Sequence, residues 1–502
     1  MSSRQLSVVS KMSFIRRPPL GIAGNSIVAV VVFAFLLRVA FLILAGVNAP
    51  LTGDELAYQQ IAENFAAGRG LFQDNNPFFP GQILYAWQAP LYPLTLGVLY
   101  TLFGNSILLA KLFGVIVSTA IVWIMYDLAV RVFRNIAGNV AANVPYLHAD
   151  RNVAGNVTAN VPYRVAWLAA FLVAIYPGFL THAHLVLSET LFIFLLLLAF
   201  DFVARALDAN FSRVWLWLVG AGAVWGLGTL TRGITLYFTP LFALWIVWVL
   251  WRERVSIPRV IVAAFLFVAA TAIVIAPWTL RNYFQFGQVV VLETKGGVNL
   301  YLGNSSHTPN DFIRNVWKVG VREPMLEQLP GDELSRDRAA FALATNYIRA
   351  EPFTFLARMP IKFADFWGFE RNLIDIANAT TRGGGWNSVA KIGADLFALV
   401  VYVCVMLCGI AGFVFAPTDK WKILFSLFPL YFLFIHLVIF GDGRFHLPLI
   451  PFFALYAGWM LAMIRRVTFT LPRVTLTLFF ALLLIGVWLR EAWAALQVLR
   501  AG

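Results

Sequence analysis

Asp54 and Glu55 stand side by side in "APLTGDELAYQQ" (49–60), directly after the apolar run "IVAVVVFAFLLRVAFLILAG". Adjacent carboxylates repel each other, and near lipid they are poorly solvated. General-base chemistry at a membrane surface is one use for a pair in this costly place. The structural alternative is capping. "TGDELAYQQIAENFAAGRG" reads as a short amphipathic helix with Asp54 near its start, where the helix dipole favours acids. Capping accounts for one acid, not for a pair at the exit of a span in a loop otherwise poor in acids. Three arginines complement the pair: Arg232 in "LTRGITLYFTP", Arg281 in "APWTLRNYFQFG" and Arg444 in "GDGRFHLPLIP". Each sits at the outer end of an apolar run, where anchoring beside Trp and Tyr is the ordinary reading. Converged at one depth, they would instead bind a lipid phosphate bidentately. Outward acids and outward arginines on one face suit a reaction between a membrane-bound phosphate ester and an external nucleophile. Arg38, inside the first run, needs a partner or a wet cavity, and Glu189 in "HAHLVLSETLF" is the expected partner. His182 and His184 are two residues apart, so they face different sides of a helix and predict no tight metal site.

The rest of the chain must hold these groups at a bilayer surface. It has 502 residues, 60% hydrophobic and 13% charged. Soluble domains run about half apolar and about a quarter charged, so the composition is that of an all-α integral membrane protein. The net charge of +13 reflects topology and anionic lipid rather than nucleic acid. Cys404 and Cys408 lie one helical turn apart in an apolar run and read as packing residues. The basic N-terminus, "KMSFIRRPP", precedes a run too long for a signal peptide, so that run is expected to be a retained first span. Eleven spans are expected, at 26–46, 106–132, 165–182, 185–204, 214–230, 234–251, 258–278, 392–416, 421–440, 446–464 and 472–490. "PLYPLTLGVLYTLF" (90–103) is short and proline-punctuated, and is expected to be an interfacial or re-entrant helix. With the N-terminus in the cytoplasm, the basic residues fall mostly on cytoplasmic connections. Two long loops then face outward: 47–105, and 279–391, whose amphipathic text predicts a small helical domain with one face on the membrane. The chain divides into an N-terminal membrane module (1–278), this outer domain (279–391) and C-terminal membrane helices (392–502). One expected cytoplasmic loop carries a tandem duplication, "GNVAANVPY" (138–146) and "GNVTANVPY" (155–163), too short for a solenoid and read as a tolerated insertion.

"GDELAY", "APLYPLTLGVLYTLFG", "YPGFLTHAHLVLSETLF", "LTRGITLYFTP", "APWTLRNYFQFGQVVVLETKGGVNLYLGN" and "GRFHLPLIPFFALYAG" occur in one order. Over roughly residues 30 to 460 the chain resembles bacterial members of the dolichyl-phosphate-mannose–protein mannosyltransferase superfamily. These are polytopic C-type glycosyltransferases and include the enzymes that put aminoarabinose on lipid A. The resemblance implies a polyprenyl-phosphate sugar donor, a glycolipid, lipid A-like or protein acceptor, and an inverting reaction at the outer face of the cytoplasmic membrane. It implies that Asp54 is the catalytic base with Glu55 beside it. Arg38, Tyr58, His184 and Glu189 are expected as supporting residues, with a structural salt bridge as the alternative for Arg38 and Glu189. A phosphate leaving group departs without protonation, so a base and a phosphate-holding cation suffice, and neither a cofactor nor a divalent metal is required. Glycosidases, by contrast, use two carboxylates in opposed roles. In one place the chain departs from its relatives. Many carry a basic residue shortly before the "P-x-Y-P" segment, where this chain reads "YAWQAPLYP", with Gln88 and Ala89. The phosphate clamp is therefore expected from Arg232, Arg281 and Arg444. The rival readings are a transporter or flippase, which lacks support because the halves show no inverted symmetry, and a non-catalytic subunit of a membrane complex. The topology is checked by single cysteines at Asp150 and Asn310 in a background lacking Cys404 and Cys408: a membrane-impermeant thiol reagent should label 310 from outside and 150 only after permeabilisation. The reverse pattern would make 90–103 a full span.

Overall fold

The computed structural model describes residues 20–47, 50–143, 151–208, 213–309, 323–369 and 388–501. Every regular element among them is helical, and two isolated bridges, Gln73–Leu84 and Asn76–Phe79, are the extended pairings. The first helix, α1 (Leu20–Phe41), ends in a π-turn, Leu42–Gly46. The first long loop holds α2 (Asp54–Ala66) and α3 (Leu91–Phe103). Then follow α4 (Ile107–Asn143), α5 (Arg151–Ile175), α6 (Pro177–His182), α7 (Glu189–Asp208), α8 (Val214–Thr231), α9 (Ile234–Arg252) and α10 (Ile257–Phe286). The second long loop carries α11 (Gly296–Gly303), α12 (Glu323–Glu327), α13 (Glu333–Ala350) and α14 (Pro352–Phe366). The chain continues through α15 (Ser388–Phe415), α16 (Lys420–Val438), a 3-10 turn (Gly443–Leu449), α17 (Ile450–Met463) and α18 (Leu471–Ala501).

Among the described residues, ten helices are long and apolar enough to cross a membrane, and they match ten of the eleven expected spans. The remaining one, expected at 165–182, is the end of α5 plus α6; its described apolar part is Asn160–Ile175, and Pro177 breaks the helix after Tyr176. The segment 90–103 forms the 13-residue α3. At 1.5 Å per residue that is about 20 Å, short of the roughly 30 Å hydrocarbon core. The duplication lies less on a loop than on helix ends. Its first copy finishes α4 and its second falls inside α5, around Pro162, while 144–150 lie outside the described residues.

Lipid-facing helices are apolar on both sides. On α1, Ile27, Val30 and Ala34 are buried while Val28, Val32 and Leu36 are exposed. The core is aromatic: Phe200 on α7 touches Phe242, Phe425, Phe428 and Phe452 with ring centroids 5.3–5.8 Å apart. Backbones approach closely where side chains vanish, as membrane helices do at small residues. A Cβ on Gly222 would lie 2.2 Å from the Phe267 carbonyl oxygen. Away from the site, α4 and α7 are tied by ion pairs among Asp127, Arg131, Asp201 and Arg205.

The two long loops are pinned to each other by a buried acid. Glu333, at the start of α13, accepts from the backbone N–H of Tyr85 (2.6 Å) and Ala86 (2.9 Å) and from the Thr294 hydroxyl. Removing such an acceptor strands buried donors at about 1–3 kcal/mol. Glu333→Ala should therefore lower the thermal midpoint of the detergent-solubilised protein by several degrees, and Glu333→Gln should lower it less. Equal midpoints for Ala and wild type would contradict the pin.

Candidate active site

Four chain breaks meet at the face that carries the two long loops. At the first, Gly53 adopts φ +52°, a conformation open to glycine, and turns the chain out of the membrane into α2. That turn places Asp54 in the first helical turn, with its carboxylate 42% exposed and so open to an incoming molecule. At the second, the segment 183–188 ends and Glu189 opens α7, fully buried. At the third, α8 stops and Arg232 follows in extended conformation. At the fourth, Asp442 caps the 3-10 turn by accepting from the Arg444 N–H at 3.0 Å.

These breaks bring two ion pairs together. Arg444 Nη2 lies 3.2 Å from Asp54 Oδ2, and Arg232 Nη1 lies 2.8 Å from Glu189 Oε1. Both guanidinium groups lie over the ring of Phe445, at 5.9 Å for Arg232 and 5.3 Å for Arg444. A phenyl face attracts cations, which offsets part of the repulsion between the two like charges. Tyr58, one helical turn after Asp54, donates from its hydroxyl to Ser188 Oγ at 3.1 Å. Arg444 Nε is buried and has no hydrogen-bond partner among the described residues. The group therefore offers an accessible carboxylate, two arginines at one depth and an unused donor, which suits a phosphate ester beside a base.

The remaining expected site residues lie elsewhere. Glu55 is turned away from the group and buried. Its Oε1 accepts from Val186 N–H at 2.8 Å, and its Oε2 accepts from Thr52 N–H at 3.0 Å. It latches the first loop to the segment before α7 rather than standing beside Asp54. Arg281 does not join Arg232 and Arg444. Its guanidinium donates to the carbonyls of Tyr85 and Leu71, at 2.9 Å each, and lies over Trp278 at 4.7 Å. It braces the first loop, because carbonyls of that loop reach it first. The expected Arg38–Glu189 pair is not formed. Arg38 is fully buried and bonds Ser118 Oγ (2.7 Å) and the carbonyls of Ala34 and Ala174, while Glu189 is taken by Arg232. Buried His184 stacks on Phe41 at 5.1 Å, and neither ring nitrogen has a hydrogen-bond partner among the described residues. Among the described residues, no three His, Cys, Asp or Glu side chains converge as a metal site.

Sequence reasoning missed Phe445 and Lys295. Lys295 Nζ donates to Gln88 Oε1 at 2.6 Å and lies 3.7 Å from Glu293 Oε2. Burial alone would lower its pKa, but the Glu293 carboxylate first, with Asp54, outweighs it and holds the ammonium above its ordinary value. The signal was a cation two residues from an acid, Glu293, between the apolar runs of "VVVLETKGGVNLYLGN".

The all-helical membrane bundle has the fold of the C-type glycosyltransferases. The chain belongs to the dolichyl-phosphate-mannose-protein mannosyltransferase family, whose model matches residues 28–292. No curated protein matches it. Among solved structures, an oligosaccharyltransferase from Archaeoglobus fulgidus superposes with TM-score 0.50 at 15% identity, covering 91% of this chain and 51% of that one. The chain thus spans about half the length of that relative. ArnT from Cupriavidus metallidurans matches with TM-score 0.37 at 16% identity, over 88% of this chain and 78% of that one. The protein O-mannosyltransferase complex of S. cerevisiae, bound to its sugar donor, matches with TM-score 0.37 at 14% identity, over 62% of this chain and 38% of that one.

Burial raises the pKa of Glu55, against the pull of the Val186 and Thr52 N–H groups. A carboxyl raised on folding adds stability below its unfolded pKa and loses it as pH rises through the folded value. Wild-type stability should therefore fall as pH rises above the ordinary carboxyl range, and Glu55→Gln should remove that part of the fall. Thermal midpoints between roughly pH 4 and 7 check this; an unchanged slope in the variant would contradict it.

Proposed function

We propose that the protein is an inverting glycosyltransferase. It moves a sugar from a polyprenyl-phosphate donor to a glycolipid, lipid A-like or protein acceptor at the outer face of the cytoplasmic membrane. The observation that carries this reading is the pairing of accessible Asp54 with Arg444, beside Arg232, at the mouth of the membrane helices. Family membership supports the same reading.

The chemistry follows from the groups. The donor phosphate lies against Arg444 and Arg232, with its polyprenyl tail among the apolar helices. The acceptor hydroxyl approaches the opposite side of the sugar, within reach of Asp54. As the acceptor oxygen attacks the anomeric carbon, its proton passes to the Asp54 carboxylate, and the bond from that carbon to the phosphate oxygen breaks. The leaving polyprenyl monophosphate keeps the electron pair, and the two guanidinium groups take up the developing charge. One displacement inverts the anomeric centre. Tyr58 and Ser188 set the register between α2 and the start of α7, so the base and the phosphate site keep their separation. Glu55 serves by holding the loop that carries Asp54.

Asp54→Asn tests the assignment. Asn caps a helix as well as Asp, so fold and donor binding should survive. Loss of a positioned base costs about 10²- to 10⁴-fold in rate. Purified protein in membranes, given radiolabelled polyprenyl-phosphate sugar, should transfer label as wild type and fall by that order as Asp54→Asn. Wild-type transfer by the variant would remove Asp54 from the reaction.

A further inference from the structure

The three cations of the group are not equally free to receive an anion. Arg232 is held by Glu189 at 2.8 Å, and Arg444 by Asp54 at 3.2 Å. Lys295 differs. Its short hydrogen bond, 2.6 Å, goes to the neutral amide oxygen of Gln88, and its nearest carboxylate, Glu293, stands off at 3.7 Å. It belongs to the same group, because its neighbour Glu293, 3.7 Å away, lies against the backbone beside Arg232. A Cβ on Gly233 would sit 3.5 Å from Glu293 Oε1.

The position of this lysine is built. Thr294 N–H donates to the Ala86 carbonyl at 2.9 Å, and Glu333 grips Tyr85, Ala86 and Thr294 together. The backbones leading to Gln88 and to Lys295 are thus fixed against each other. The helix that begins after Lys295 is not itself the anion site, because Asp337 Oδ1 already accepts from Gly297 N–H at 2.6 Å. What the loop junction presents is one ammonium resting on an amide.

We propose that Lys295 is the first cation to take the phosphate of the lipid donor, with Gln88 as its resting acceptor. This rests on the transferase reading above and adds to it a residue from the second long loop. A phosphate oxygen replaces the Gln88 oxygen, and a neutral-acceptor bond becomes a charge-assisted one, roughly twice as strong. Each arginine, by contrast, already spends part of its charge on a carboxylate, at 2.8 Å for Arg232 and 3.2 Å for Arg444. The amide at 88 and the lysine at 295 together do what a single basic residue at 88 would do, with the charge carried across the loop junction.

The test is binding of polyprenyl monophosphate to the full-length protein in nanodiscs, followed by tryptophan fluorescence, with the matching polyprenol and inorganic phosphate as separate arms. Wild type should prefer the monophosphate lipid to the polyprenol, and inorganic phosphate should compete weakly. Lys295→Gln should weaken monophosphate binding about tenfold, the worth of one charge-assisted hydrogen bond, and leave polyprenol binding unchanged. Lys295→Arg should stay close to wild type. Placing the charge across the junction, as Gln88→Lys on Lys295→Gln, should restore the preference. That double variant also guards against a folding defect, since it keeps the pair and reverses it. Lys295→Gln with wild-type affinity, or an exchange that fails to rescue, would overturn the role of Lys295 alone. A wild type that binds monophosphate and polyprenol alike would overturn the transferase reading as well.

Discussion

A charge near lipid must find an opposite charge or well-placed hydrogen-bond partners, or lose several kcal/mol. Two pairs meet that demand here, Asp54 with Arg444 and Glu189 with Arg232, and both arginines lie over the ring of Phe445. Each of the four charges sits at a break between helices, so the bundle must end at one depth for the pairs to close. The bundle geometry, the glycine turn at Gly53 and the 3-10 turn at Gly443–Leu449 all serve that requirement. The pairs also explain why the site waits without collapsing. Each guanidinium is charge-paired in the free protein, Arg444 keeps Nε as a spare donor, and Asp54 still reaches solvent.

The loops have a different task. They carry Asp54 and Lys295, and their charged anchors hold the loop backbone in place. Arg281 braces Leu71 and Tyr85, Glu333 grips Tyr85, Ala86 and Thr294, and Glu55 ties Thr52 to Val186. All three are charged groups satisfied by backbone or hydroxyl, which fixes a loop more firmly than a surface ion pair does. Shifts of about 1 Å at a reacting centre cost rate steeply, so under the proposed transferase reading anchors of this kind would act on turnover without touching substrate.

Much of the fold is legible in the sequence, because apolar length has one physical use at this composition. The helices at 26–46 and 258–278 needed no further information. The segment 165–182 was harder: its apolar content is spread over α5 and α6, and Pro177 divides it. The site was legible in kind and less so in membership. Asp54, Arg232 and Arg444 stand out because charge in apolar text is expensive. The same argument picked Arg281 and Arg38, whose cost is met by carbonyls and a serine rather than by carboxylates. Sequence gives depth along a helix and not the neighbour across it. Lys295 and Phe445 enter through contacts between distant segments, which no spacing rule encodes.

The central claim is that the paired arginines and Asp54 mark the place of a lipid phosphate. The most direct measurement is a cryo-EM structure of the protein in nanodiscs loaded with polyprenyl monophosphate. The account predicts phosphate density within hydrogen-bond distance of the Arg444 and Arg232 guanidinium groups, with Asp54 facing the adjoining space and the tail running down between apolar helices. Phosphate density at another face of the bundle, with both ion pairs undisturbed, would contradict it.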